Sequence, residues 1–368
     1  MSYLSLTELI DLIIVDPQLV ANGERRMEDV WCGRVTDSLP IHFYANGPEN
    51  VQYVSDNVRQ YQEDEVMLYN WACSLVAAAR SGSDMPLTIR ANTGTGTLAT
   101  IAGCTMMPIA TSLPWTNPIT REEIEAFDPT ADFSTRGIMP RVKNLYSYYR
   151  EHLPTSVNYF IADTQGPFDL AHLLYGDELF YAIYDEPEFV HELMAKATTL
   201  YIRGSELMKS WIGEPLDGGY HWNLKMANGG VRCCEDTSTL LNGDSIAEFV
   251  APYQQQALAV FGGGYVHFCG NNPALYRAVL ENPYARGLNF GNPELFDFAV
   301  VLPELIAAGK CYQGGIPRNE GESLRDYFTR VISYTAGSRT GLIFMPSLWP
   351  AELNEPERVV GLWRELQR

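Results

Sequence analysis

Three short clusters in this sequence combine residue types that bind metals or move protons. His267-Phe-Cys269-Gly-Asn271 sets an imidazole and a thiol two residues apart at the close of an apolar run. Residues i and i+2 of a strand share a face, so His267 and Cys269 can both point at one ligand, the geometry of two zinc donors. Arg232-Cys-Cys-Glu-Asp236 ends another run with two thiols and two carboxylates. Alternation groups Cys233 with Glu235, and Cys234 with Arg232 and Asp236; the sequence leaves open which set faces inward. One reading makes Glu235 or Asp236 a third metal ligand or a substrate-binding acid. The other makes it a helix cap beside a core thiol. Tyr220-His221-Trp222 ends a third run. There His221 can act as an acid, a base or a donor to substrate, or pack as a structural histidine beside core aromatics.

Asn92, Asp163, Asn289 and Asn319 stand at or just after strand ends, and Asn271 follows the His-Cys pair. These residues, with Tyr220 and Trp222, are candidates for contacting a substrate, Asp163 also for proton transfer, although each Asn or Asp can equally shape a turn. The Gly-rich Asn92-Thr-Gly-Thr-Gly-Thr97 lacks the lysine of a phosphate loop, and no dinucleotide fingerprint is present. His42, His152, His172 and His191 lie in early or helical segments and read as structural.

These candidates need a scaffold that brings strand ends together. From Pro86 onward, short apolar strands ending in polar or Gly-rich residues alternate with helical runs. Strands are expected near 86–90, 156–162, 218–222, 230–235, 264–269, 287–290, 310–313 and 340–344. A long amphipathic helix is expected over 187–212. Eight repeated strand–helix units predict a parallel sheet closed as a (β/α)8 TIM barrel, with its site at the strand C-termini. An open doubly wound sheet is the alternative. Residues 1–85, mixing helical and short strand signals, are expected to form an N-terminal addition packed on a barrel of residues 86–368.

Composition narrows the function further. The chain has 368 residues, 46% of them hydrophobic, with 26 Lys and Arg against 45 Asp and Glu, a net charge of −19. That acidity and the lack of basic clusters exclude nucleic acid and anionic membrane as partners. No uncharged apolar run reaches the roughly 18–20 residues of a membrane span, and no basic secretory leader is visible. The 7 Cys, none in a CxxC pair, fit reduced thiols in the cytoplasm. With 7 Trp, 21 Tyr and 15 Phe, a flat aromatic ligand is a reasonable expectation.

Several stretches together resemble the uroporphyrinogen decarboxylase superfamily. These are 163–171 with Leu174-Tyr-Gly176, Asp185-Glu-Pro187 to Leu193, 240–253, His267–Asn271, Asn292-Pro293 and Gly341–Phe344. The likeness spans about residues 25–368 and implies a (β/α)8 barrel with an N-terminal helical addition, often dimeric. The decarboxylase branch carries an Arg-rich N-terminal motif, of which Glu24-Arg-Arg-Met27 is only an echo. The methyltransferase branch holds zinc with an HxC pair, matched here by His267 and Cys269, and a later Cys. The final strand instead ends Phe344-Met345-Pro346, so Glu235 is the candidate third ligand. The resemblance implies transfer of a methyl group from a small methylated substrate, best a methoxylated aromatic, to the cobalt of a corrinoid on a partner protein. Zinc would serve as Lewis acid. Metal-free decarboxylation, methyl transfer to a thiol, and a non-enzymatic corrinoid- or ligand-binding barrel are the alternatives.

Overall fold

The structure, a computed structural model, describes residues 3–368, apart from the side chain of Leu113. Its centre is a five-stranded parallel sheet built from the C-terminal half of the chain: β7 (Val231–Cys234), β8 (Gly264–Phe268), β9 (Ala285–Phe290), β10 (Cys311–Ile316) and β11 (Leu342–Pro346), adjacent in that order. Helices on the sequence between successive strands make this an α/β architecture. A second parallel pair joins β1 (Thr88–Ile89) to β4 (Asn158–Tyr159). Ile41 bridges Phe344 in parallel at the β11 edge of the main sheet, and its carbonyl accepts the Asp84 N–H at 3.0 Å.

The expected eight-strand ring is therefore seen in part. Among the described residues, hydrogen-bonded ladders run through five strands and separately through β1 and β4. The segment 218–222, expected as one parallel barrel strand, is an antiparallel hairpin instead: β5 (Gly218–His221) returns as β6 (Leu224–Ala227). Trp222 makes this possible by adopting φ +52° at the two-residue turn, a conformation that costs a bulky side chain free energy. A second hairpin, β2 (Thr105–Ile109) with β3 (Ser112–Asn117), was not expected.

Side-chain alternation sorts the sheet into two faces. Phe344 packs on Phe328 and Trp363 of the flanking helices, with ring centroids 5.9 and 4.9 Å away. Its neighbour Met345 therefore points the opposite way, to the inner face. The helix Pro17–Trp31 closes the inner face at the strand N-termini. A Cβ on Gly287 would come within 2.4 Å of the Trp31 ring, so the close approach requires glycine. The amphipathic helix Pro187–Ile212 forms over the range its periodicity predicts and buries Leu193, Ala197, Leu200 and Tyr201. No helix among the described residues is long and apolar enough to cross a membrane.

Candidate functional site at the strand C-termini

Register places the chemistry. Arg232 of β7 is paired with Tyr265 of β8; two residues on, Cys234 is paired with His267, and His267 with Asn289 of β9. Arg232, Tyr265, His267 and Asn289 of these layers line a cavity of about 230 Å³, which Arg90, Asp163, His221, Trp222, Gln313 and Met345 complete.

The upper layer gathers metal-type donors. One donor atom each from Cys234, Asp236 and His267 lies within 4.8 Å of the other two. The imidazole orientation follows from its neighbours. Asn289 Nδ2 donates to the Gln313 carbonyl at 2.6 Å, which turns Asn289 Oδ1 to His267 Nδ1, 2.6 Å away. An amide oxygen only accepts, so Nδ1 carries the proton and Nε2 keeps its lone pair. Nε2 faces Asp236 Oδ1 at 3.6 Å. Burial, together with Arg232, lowers the His267 pKa and favours the neutral ligand form. One thiol, one carboxylate and one neutral imidazole with an oriented partner make a donor set compatible with zinc.

Two expected ligands stand outside this set. Glu235 is fully buried on the other face of β7 and its carboxylate accepts from Ser238 Oγ at 2.9 Å and Gln254 Nε2 at 3.2 Å. Burial and the neighbouring Asp169 push its pKa up, so it is held as a neutral acid. This corrects its expected roles in catalysis and metal binding: strand alternation turns it from the cavity. Cys269 lies beyond the end of β8, exposed, with Sγ 3.7 Å from His267 Nε2. Its thiol is not among the mutually close donors. Burial and Asp236 push its pKa up to about 11. Asp169 acts from beneath, accepting the N–H groups of Asp236 and Thr237 at 2.9 and 2.8 Å and so fixing the turn that presents Asp236.

The lower layer is a charge cluster. Asp163 Oδ2 accepts from Arg90 Nη1 at 3.1 Å, and Oδ1 accepts from Gln165 Nε2 at 2.6 Å and lies 3.6 Å from Arg232 Nη1. Burial opposes the Asp163 charge, but the two guanidiniums prevail and hold its pKa well below the carboxylate range. Gln165 adopts φ +57° to make its contact. Strained non-glycine residues such as Gln165 and Trp222 concentrate at functional sites. His221 packs between Phe160 and Tyr265, with centroids 5.3 and 5.7 Å away. Burial, then Arg232 and Arg90, keep its imidazole neutral.

Of the other expected substrate contacts, Trp222 and Asn289 line the cavity. Tyr220 does not: alternation sends it outward, where its hydroxyl donates to Glu24 at 2.6 Å. Asn92 is half-buried outside the lining. Asn271 and Asn319 are exposed; the first donates to the Leu295 carbonyl at 3.1 Å, and the second donates its backbone N–H to Glu322 at 3.0 Å. They shape loops. Arg90, Cys234, Tyr265 and Gln313 join the site only in the structure. The alternation of Arg232, Cys234 and Asp236 was the available signal for that strand.

A parallel-sheet α/β scaffold with its site at the strand C-termini defines a class of architecture. Within it, this chain is similar in structure to a methyltransferase from Methanosarcina mazei, with a TM-score of 0.67 over 94% of this chain and 99% of that one, at 15% sequence identity. That likeness establishes a shared fold. No family model matches the chain, and comparison with curated proteins by sequence gives no match.

Proposed function

We propose that this protein is a corrinoid-dependent methyltransferase that uses zinc held by Cys234, Asp236 and His267. The observation carrying the reading is the convergence of those three donors, of which His267 also lines a small cavity. A fold shared with a methyltransferase supports it. In this reading the parallel strands belong to a (β/α)8 barrel, residues 1–85 are its N-terminal addition, and a homodimer is the assembly. The substrate is a small methylated compound, best a methoxylated aromatic, and the acceptor is the cobalt of a corrinoid carried by a partner protein.

A methyl group on an ether oxygen leaves with difficulty because the departing oxygen is strongly basic. Bound zinc would supply a Lewis acid for that oxygen. The chain's own residues do the rest. Asn289 fixes His267 in the tautomer that presents Nε2. Asp169 fixes the backbone at Asp236. The Cys234 thiol, whose pKa burial raises, gives up its proton when metal binds. Trp222 and Tyr265 form aromatic walls that orient a flat substrate and exclude water. The methyl–oxygen bond would break with its electron pair staying on oxygen, and the reduced cobalt of the partner's corrinoid would supply the electron pair that accepts the methyl group.

Metal analysis of the purified protein tests the reading: about one zinc per chain is expected from a complete donor set. Cys234→Ala and His267→Ala should each lose it and abolish methylation of reduced cobalamin by methoxylated aromatics. Zinc below about a tenth of an equivalent in the unmutated protein would overturn the metal assignment. Carbon dioxide release without methyl transfer would favour the decarboxylase alternative.

A further inference from the structure

We infer that the cavity selects substrates bearing one carboxylate-type anion, bound by Arg90 and Arg232 beneath the metal donors. The inference rests on the methyltransferase reading only for the identity of the site; the anion pocket itself stands on separate residues.

The charge balance points to it. The cavity wall carries two guanidiniums and a single carboxylate, Asp163. Outside the lining, Asp236 would share its charge with a bound metal. An uncompensated cation in a desolvated pocket is costly, and an anionic ligand removes the cost.

The hydrogen bonding agrees. Both oxygens of Asp163 are engaged, by Arg90 and Gln165, leaving Arg232 at 3.6 Å, beyond hydrogen-bond length. Among the described residues the Arg232 guanidinium makes no hydrogen bond, although its side chain is only 15% exposed. Arg90 Nε is also buried without a partner, and the Arg90 side chain is 11% exposed. Two forks with free donors in one cavity match the planar, two-oxygen geometry of a carboxylate. The Arg90 guanidinium also lies 5.8 Å from the Phe160 and Trp222 rings, so its position is fixed by packing as well as charge. A volume of about 230 Å³ has room for a ligand the size of a substituted benzoate.

The test is calorimetric titration of the purified protein with a size series of monocarboxylates from acetate to 4-methoxybenzoate, each against its neutral amide. At least one carboxylate should bind about tenfold or more tightly than its amide, because charge-assisted bonds to two guanidiniums are lost in the amide. Arg90→Gln should erase that preference, and so should Arg232→Lys, which keeps the charge but loses the fork. The preference should persist after EDTA treatment, which separates an arginine pocket from carboxylate bound to metal. Equal affinity for acid and amide throughout the series, or a preference that survives both substitutions, overturns the inference. Zinc content and methyl transfer play no part in this readout, so either reading can fail alone.

Discussion

His267 shows how one side chain is specified by groups that never touch a substrate. Its Nδ1–H is fixed by Asn289, whose own orientation is fixed by the Gln313 carbonyl. Removing such an outer partner typically weakens metal binding by about 10–100-fold. Asn289→Ala should therefore lower zinc affinity by about that factor, measured by competition with a chelating dye, while leaving thermal unfolding of the metal-free protein within about 3 °C of the parent. Unchanged zinc affinity would show that the imidazole needs no orienting partner. Glu235 and Asp236 provide a paired comparison, adjacent in sequence and opposite in direction. Asp236→Asn should weaken zinc binding by at least about tenfold. Glu235→Gln should leave it unchanged, because Glu235 accepts from Ser238 and Gln254 on the far side of the strand. Loss of zinc in Glu235→Gln alone would return Glu235 to the ligand set.

Elements decide what a residue's neighbours are, and here the sequence is legible only in part. The parallel strands from 231 onward follow from short apolar runs bounded by Gly and polar residues, and the helix 187–212 from its periodicity. The antiparallel return at 218–227 is hidden, because its turn carries Trp222-Asn223 where a glycine would have marked positive φ. The hairpin 105–117 is hidden for a different reason: Pro108 and Pro114 interrupt what would read as strands. At the site, spacing identified His267 and both faces of 232–236, but choosing Cys234 and Asp236 required the β7–β8 register, a long-range pairing that local sequence does not encode. The Trp31–Gly287 contact is a further long-range feature. Gly287→Ala places a methyl about 2.4 Å from the indole, and the overpacking should destabilise the protein by about 1–3 kcal/mol in urea unfolding. Trp31→Leu in the same chain should recover part of that loss, since residues in contact are not additive. Strict additivity of the two losses would show that helix and sheet do not press on each other there.

At the scale of the whole molecule, the acidic surface and the buried imidazoles pull stability in opposite directions as pH falls. Protonating surface carboxylates reduces a net charge of −19 and relieves self-repulsion. His42 works against this. It is 1% exposed, both ring nitrogens lack a partner, and its backbone N–H donates to the Phe344 carbonyl at 2.8 Å. Burial alone lowers its pKa to about 3. The unfolded chain binds a proton at His42 near pH 6.5 while the folded chain does not, so protonation favours unfolding. The neutral form's advantage is complete above pH 6.5 and is lost as pH falls from there toward 3, at up to about 1.4 kcal/mol per pH unit. His42→Phe removes that proton site and leaves surface charge alone. Unfolding free energies from urea titration at pH 7.5 and 5.0 should therefore fall by about 2 kcal/mol more in the parent than in the variant. An equal fall in both would mean that His42 gains a proton without unfolding, through an opening that lets water or a carboxylate reach its ring.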